Sequence, residues 1–190
     1  MRCVQPAVLA LLLLTVCGAS GARSPDSESI AIAVVDDHYE LTVPVGHVTM
    51  LLPRGHFERQ QSTAGGSAKS SRYFLLRDQS TGAIVTGWFE SGRDITDAGK
   101  ALEESWPVEV ANLNKAGRTP LNIERKTIGA WHAITYKFQI GDLVSSHIRA
   151  SQIVGDTWVD LHLSVSKPST DESTDASVMD LLKSLSFRTR

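Results

Sequence analysis

The chain has 190 residues, 42% of them hydrophobic and 21% charged, with a formal net charge of −2. That is the composition of one ordinary globular domain, long enough to bury a core without covalent staples. Lys and Arg are scattered rather than gathered into a stripe, which argues against nucleic acid or an anionic membrane as a working partner.

The N-terminus reads as an export leader. Arg2 supplies a positive start, Ala7 to Val16 an apolar run of about ten residues, and Ser20-Gly21-Ala22 small residues for cleavage before Arg23. The run is too short to span a bilayer, which takes about 20 apolar residues, so no integral membrane segment is expected after cleavage. Loss of residues 1–22 removes Arg2 and no acid, taking the net charge from −2 to −3. It also removes Cys3 and Cys17, leaving a chain without disulfides or thiolate chemistry. The expected location is exported, periplasmic or secreted. Lipid anchoring through Cys17 is disfavoured because Val16 stands where a small residue belongs.

Residues 23–29, RSPDSES, read as a flexible lead-in to a single domain over 30–190. Ile30 to Val35 predicts a first strand. Asp36-Asp37-His38 supplies turn chemistry before a second strand at Tyr39 to Val43, and Val48 to Leu52 forms a third. Gln60 to Ser71, QQSTAGGSAKSS, is a low-complexity loop. Ala68 stands where a phosphate-cradling loop needs glycine, so Lys69-Ser70 is not a nucleotide motif. Arg72 to Arg77 and Ala83 to Glu90 predict a hairpin around Asp78 to Gly82. Ala98, Leu102, Trp106, Val110 and Leu113 then recur at helical spacing. Asp94 or Thr96 offers a cap, Gly117 a stop, and Pro107 a kink or a second start.

Trp131 to Ile140, Leu143 to Ile153 and Thr157 to Val165 read as an antiparallel meander with Gly141-Asp142 and Gly155-Asp156 as turns. Val178, Leu181, Leu182 and Leu185 give the stripe of a final helix.

Six histidines in two even triplets, His38/His47/His56 and His132/His147/His162, raise the question of a metal or proton-transfer site. The first three fall in or beside turns. For the second three, side chains alternate across a strand. A tight turn at Gly155-Asp156 pairs Ala150 with Leu161, Arg149 with His162 and Ser151 with Asp160. Apolarity places His132 at the end of the core face and His147 and His162 on the other, so the spacing of fifteen is the repeat of a meander. No metal and no cofactor is expected. The polar face collects His147, Arg149, Trp158, Asp160 and His162, the candidate binding residues. Both helical stripes are expected on the opposite, apolar face, leaving this one at least partly open. A helix lying over it would make it structural.

The order of elements resembles the Mog1/PsbP-like family, through Gly155-Asp156-Thr157-Trp158 and Ser184-Leu185-Ser186-Phe187 and best over Thr127 to Phe187. The resemblance implies an α+β fold with an antiparallel sheet flanked by helices. It also implies binding or assembly modules, exported bacterial proteins among them. It carries no catalytic signature and transfers no functional residue. The reading is therefore an exported, non-enzymatic binding or assembly module of a bacterial envelope, with a protein partner and no nucleic acid. The alternative is a small-ligand-binding protein or hydrolase built on the polar sheet face.

Overall fold

The structure, a computed structural model, describes residues 29–43, 47–60, 72–170 and 174–189. The leader, most of the lead-in and all of the low-complexity loop but Gln60 lie outside these. The strands are β1 (Ala31–Val35), β2 (His38–Val43), β3 (Val48–Pro53), β4 (Phe57–Arg59), β5 (Tyr73–Asp78) and β6 (Ala83–Ser91). Helix α1 (Ala98–Lys115) follows, then β7 (Leu121–Ile128), β8 (Trp131–Ile140), β9 (Leu143–Val154), β10 (Thr157–Pro168), α2 (Thr174–Ser184) and β11 (Ser186–Thr189).

The strands divide into two antiparallel sheets. One is four-stranded, ordered β1-β2-β3-β11; the other is seven-stranded, ordered β4-β5-β6-β10-β9-β8-β7. Alternation along the strands builds the main core between them. Leu41, Met50 and Leu52 from the small sheet and Val85, Phe89, Ile148, Leu161 and Leu163 from the large one are fully buried. They form one apolar cluster with Val178 and Leu182 of α2, so α2 shares this side of the large sheet with the small sheet. The fold class is the α+β arrangement expected. Among the described residues no helix is long and apolar enough to cross a membrane.

The expected register of the last hairpin holds: Thr157 pairs with Val154, Leu161 with Ala150, His162 with Arg149 and Asp160 with Ser151. Two other expectations are corrected. First, His132 pairs with Ser151 and Ile134 with Arg149, so His132 shares a face with His147 and His162 rather than opposing them. The cause lies in β8, which is buried on both sides: Trp131 and Ala133 join the main core, while Ile134, Tyr136 and Phe138 point the other way. Apolarity therefore does not identify the core face of this strand. Second, α1 does not pack on the main core. Its Leu102 and Trp106 close over Ile134, Tyr136 and Phe138, so α1 lies on the polar face, from which it was expected to be absent.

Helix α1 is one continuous helix with Pro107 inside it, and Asp97, not Asp94 or Thr96, caps its start by accepting from Lys100 N–H at 3.0 Å. The proline removes one backbone donor, and the buried Trp106 beside it anchors that turn. At the other end Arg118 N–H donates to Leu113 C=O at 2.9 Å and Gly117 N–H to Asn114 C=O at 3.0 Å. This pair of bonds requires the left-handed backbone that Gly117 adopts at φ 72.

Candidate functional site

Beneath α1 the large sheet carries a polar cluster within an otherwise apolar setting. Strand β9 supplies Ser145, His147 and Arg149, β10 supplies Asp160, His162 and Ser166, β8 supplies Tyr136, and α1 supplies Glu109. Pairing of Tyr136 with His147 and of Arg149 with His162 brings them side by side. The candidate residues His147, Arg149, Asp160 and His162 thus meet in one site. Trp158 stands at its rim, half-buried, with its indole N–H donating to the buried Ser151 hydroxyl at 2.6 Å.

One part of the cluster is charged. Arg149 Nη2 donates to Asp160 Oδ2 at 2.5 Å, and its Nε lies 3.0 Å from Glu109 Oε2. The second contact is an ion pair without a hydrogen bond, because the buried Nε–H has no acceptor along its axis; Asp160 Oδ1 is likewise buried without a donor. The side chains of Arg149, Glu109 and Asp160 are 19%, 21% and 13% exposed. Burial, reinforced by the neighbouring Glu109 and Glu90 carboxylates, pushes the Asp160 carboxyl up to about 6 against the pull of Arg149.

The other part is neutral. His147 Nδ1 lies 2.9 Å from His162 Nε2, and His147 Nε2 lies 2.8 Å from Ser145 Oγ, which accepts from Ser166 at 2.8 Å. Tyr136 donates to Glu109 Oε1 at 3.1 Å, with His162 Nε2 at 3.2 Å. The three rings stack nearly parallel, Tyr136 on His147 at 5.0 Å and His147 on His162 at 5.1 Å. One proton assignment satisfies the chain with both imidazoles neutral: His162 donates to His147, and His147 donates to Ser145. Burial favours that neutral form. It lowers the imidazolium of His147 to about 4, helped by Arg118, and lowers that of His162 well below its ordinary value, helped by His147 and Arg149. Burial and the Glu109 carboxylate raise the Tyr136 phenol.

Such a cluster can hold a proton and orient its own members. Its hydroxyls on Ser145 and the nearby Ser164 are buried within the strands, and α1 packs over the β8 side of the cluster through Leu102 and Trp106. Among the described residues no three His, Cys, Asp or Glu side chains are grouped as a metal site. A cleft of about 830 Å³ lies elsewhere, between α2 and the β5–β6 turn, and is lined in part by Phe57, Thr81, Val165 and Leu181.

Sequence reasoning missed Glu109 and Tyr136. A signal for Tyr136 was present, because the two-residue turn Gly141-Asp142 pairs Ile140 with Leu143 and counting back sets Tyr136 opposite His147. Glu109 carried none; only the packing of α1 brings it to Arg149.

No family model matches the sequence, and no curated protein does. Solved structures do. A point mutant of the protein Mog1 is 13% identical with a TM-score of 0.50, over 80% of this chain and 95% of that one. LpqN of Mycobacterium tuberculosis, described as involved in cell envelope biogenesis, is 16% identical with a TM-score of 0.43, over 77% and 86%. A Bacteroides thetaiotaomicron protein is 13% identical with a TM-score of 0.40, over 76% of this chain and 46% of its own, so this chain spans about half of its length. The fold is Mog1/PsbP-like, an α/β sandwich; at these identities the likeness extends to the fold alone.

Proposed function

We propose that the chain is an exported, non-enzymatic binding or assembly module of a bacterial envelope. In this reading residues 1–22 are a leader lost on export, 23–29 a tether and 30–190 the working domain. The apolar run at Ala7 to Val16 supports export. The stacking and hydrogen bonding of the two histidine rings, with burial holding both in the neutral form, favours a structural role for them over catalysis.

The observation that carries the binding reading is the part of the sheet face that α1 leaves uncovered. Tyr73, Trp88 and Trp158 lie half-buried there on β5, β6 and β10, Tyr73 paired with Trp88 and Trp158 with Glu90. Tryptophan and tyrosine dominate binding energy when a partner desolvates them. The candidate set therefore divides. Trp158 belongs to the docking strip, joined by Trp88 and Glu90, while His147, Arg149, Asp160 and His162 form the support beneath α1.

The test is affinity capture of an envelope protein by the exported protein, repeated with Trp158→Ala. The expected result is capture by the parent and loss in the variant. Equal capture by both sinks the assignment of the strip. Turnover of an esterase or phosphatase substrate that disappears in a folded His162→Ala protein would favour the hydrolase instead. Intact mass checks export separately: a chain beginning near Arg23 is expected, and a retained leader or a lipid on Cys17 contradicts it.

A further inference from the structure

Each sheet ends in strands whose outer backbone groups have no partner strand, and proteins blunt such edges with short length, charge or bulges. Among the described residues the two sheets have edges at β4, β7, β11 and β1. Three of these are guarded. Strand β4 is the three residues Phe57–Arg59, two of them charged. Strand β7 carries Glu124, Arg125 and Lys126, and its pairing slips between Leu121 and Glu124 next to Asn122 at φ 51. Strand β11 is four residues long and bears Arg188, which binds Glu40 across the sheet.

Strand β1, five residues long, has neither charge nor bulge to guard it. Its sequence is AIAVV, without charge, proline or glycine, and it pairs with β2 in unbroken register from Ala31↔Thr42 to Val35↔His38. All of its residues but Ile32 are exposed, Val34 at 47% and Val35 at 42%. Ile32 and Val34 pair with the buried Leu41 and Tyr39, so their side chains leave on the core side of the sheet. Among the described residues Val34 is thus a core-facing residue left largely uncovered.

We propose that β1 pairs antiparallel with β1 of a second copy, joining two four-stranded sheets into one eight-stranded sheet about a twofold axis at Ala33. The strand selects its own copy by matching on both faces. With Ala33 opposite Ala33, Ile32 of each copy meets Val34 of the other on the core side, and Ala31 meets Val35 on the outer side. Every pair is apolar, no like charges oppose, and the exposed Val34 gains a covering residue that continues the core. The acids of the following turn stay apart in this register, Asp36 falling opposite Ile30. The outer backbone groups of β1 would then bond between copies. The proposal is independent of the docking strip, which lies on the other sheet.

The experiment is sedimentation velocity of the exported protein over a concentration series, with hydrogen exchange of the β1 amides. The expected result is reversible dimerisation with protection of Ala31 to Val35 that rises with concentration. Ala33→Lys or Ala31→Lys should give a monomer with an unchanged melting temperature, since both side chains face outward. Mixing Ala33→Lys with Ala33→Glu should restore the dimer, because opposite charges then meet across the axis; an unfolded lysine variant cannot show this rescue. A parent that is monomeric throughout overturns the proposal, as does a dimer that survives both lysine variants. Protection independent of concentration means that another segment of the same chain covers the edge. Protection that appears only with an added envelope component means a foreign strand, and either result also overturns it.

Discussion

The two faces of the seven-stranded sheet are held by different physics. On one, residues with no solvent exposure, such as Leu161, Leu163 and Ile148, meet the small sheet and α2 in a dry cluster. On the other, Leu102 and Trp106 of α1, joined by the partly buried Val110 and Leu113, meet Ile134, Tyr136 and Phe138, and beside this smaller apolar cluster stands the Glu109–Arg149–Asp160 and Tyr136–His162–His147 network. The dry face draws its stability from buried area, which is non-directional. The network face draws specificity from groups that must all be present, since removing one strands the others. The first face should therefore respond to volume and the second to charge and pH.

The largest effect is expected on the dry face. Leu161→Ala deletes a fully buried side chain where both sheets are already packed, and should cost about 3 kcal/mol in urea unfolding. A loss below about 1 kcal/mol would mean that the sheets close on the gap and the face is less rigid than drawn.

Next comes Arg149→Ala. It leaves Glu109 and Asp160 facing each other without the guanidinium between them. For a partly screened trio the cost should be about 2 kcal/mol. Hydrogen exchange should show the loss concentrated in α1, because Glu109 ties the helix to the middle of the sheet, the more exposed Glu103–Arg125 pair holding only its edge. A uniform loss across the molecule would instead make the network an extension of the core.

Acid sharpens the contrast further, by opposing contributions. His147 falls from 6.5 to about 4 on folding, so its share of stability is present above pH 6.5 and lost progressively as pH falls to 4. At 1.36 kcal/mol per unit this is about 3 kcal/mol. Asp160 runs the other way. Raised from 3.8 to about 6, it contributes stability that is present below pH 3.8 and lost as pH rises through 6, again about 3 kcal/mol. These two nearly cancel, and His162, lowered well below 6.5, decides the sign. Stability should fall on acidification from pH 6.5 to 4. The double variant His147→Gln, His162→Gln should reverse that slope, leaving Asp160 to stabilise the fold in acid. An unchanged slope in the double variant would place the acid sensitivity elsewhere.

How far the sequence revealed this contrast depends on the strand. The β9–β10 hairpin was legible because a two-residue turn fixes register and one face is plainly apolar: Ala150 meets Leu161 and Ile148 meets Leu163. Strand β8 was misassigned because periodicity reports burial, not which side is buried, and this strand is buried on both. The position of α1 followed that error. Its stripe predicted a helix correctly, but a stripe does not say which of two apolar patches receives it. Strands β4, β7 and β11 escaped because they are short or charged on both faces, so tertiary pairing rather than alternation defines them. The site residues on β9 and β10 were found together because one register placed them, whereas Glu109 reached them through packing alone.

The smallest effect on stability, and the largest expected on binding, belongs to the uncovered strip. Trp106 and Trp158 lie on the same side of the large sheet, yet Trp106 is 6% exposed beneath the helix while Trp158 is only half-buried at its rim. Trp106→Ala should behave as a core deletion, about 3 kcal/mol. Trp158→Ala removes part of a ring's burial and one hydrogen bond to Ser151, about 1 kcal/mol. Trp88→Ala should cost no more, since its indole bonds only to the partly solvated Glu90 at 2.7 Å. If the strip is a docking surface, the order inverts in a binding assay. Trp158→Ala and Trp88→Ala should weaken capture of the partner at least about tenfold, the 1.4 kcal/mol that a buried interface tryptophan readily contributes. Residues of β9 beneath α1 should matter only as far as the fold suffers. Should binding instead track stability across all the variants, the tryptophans act through the fold, and the strip is the solvent-facing rim of a structural network.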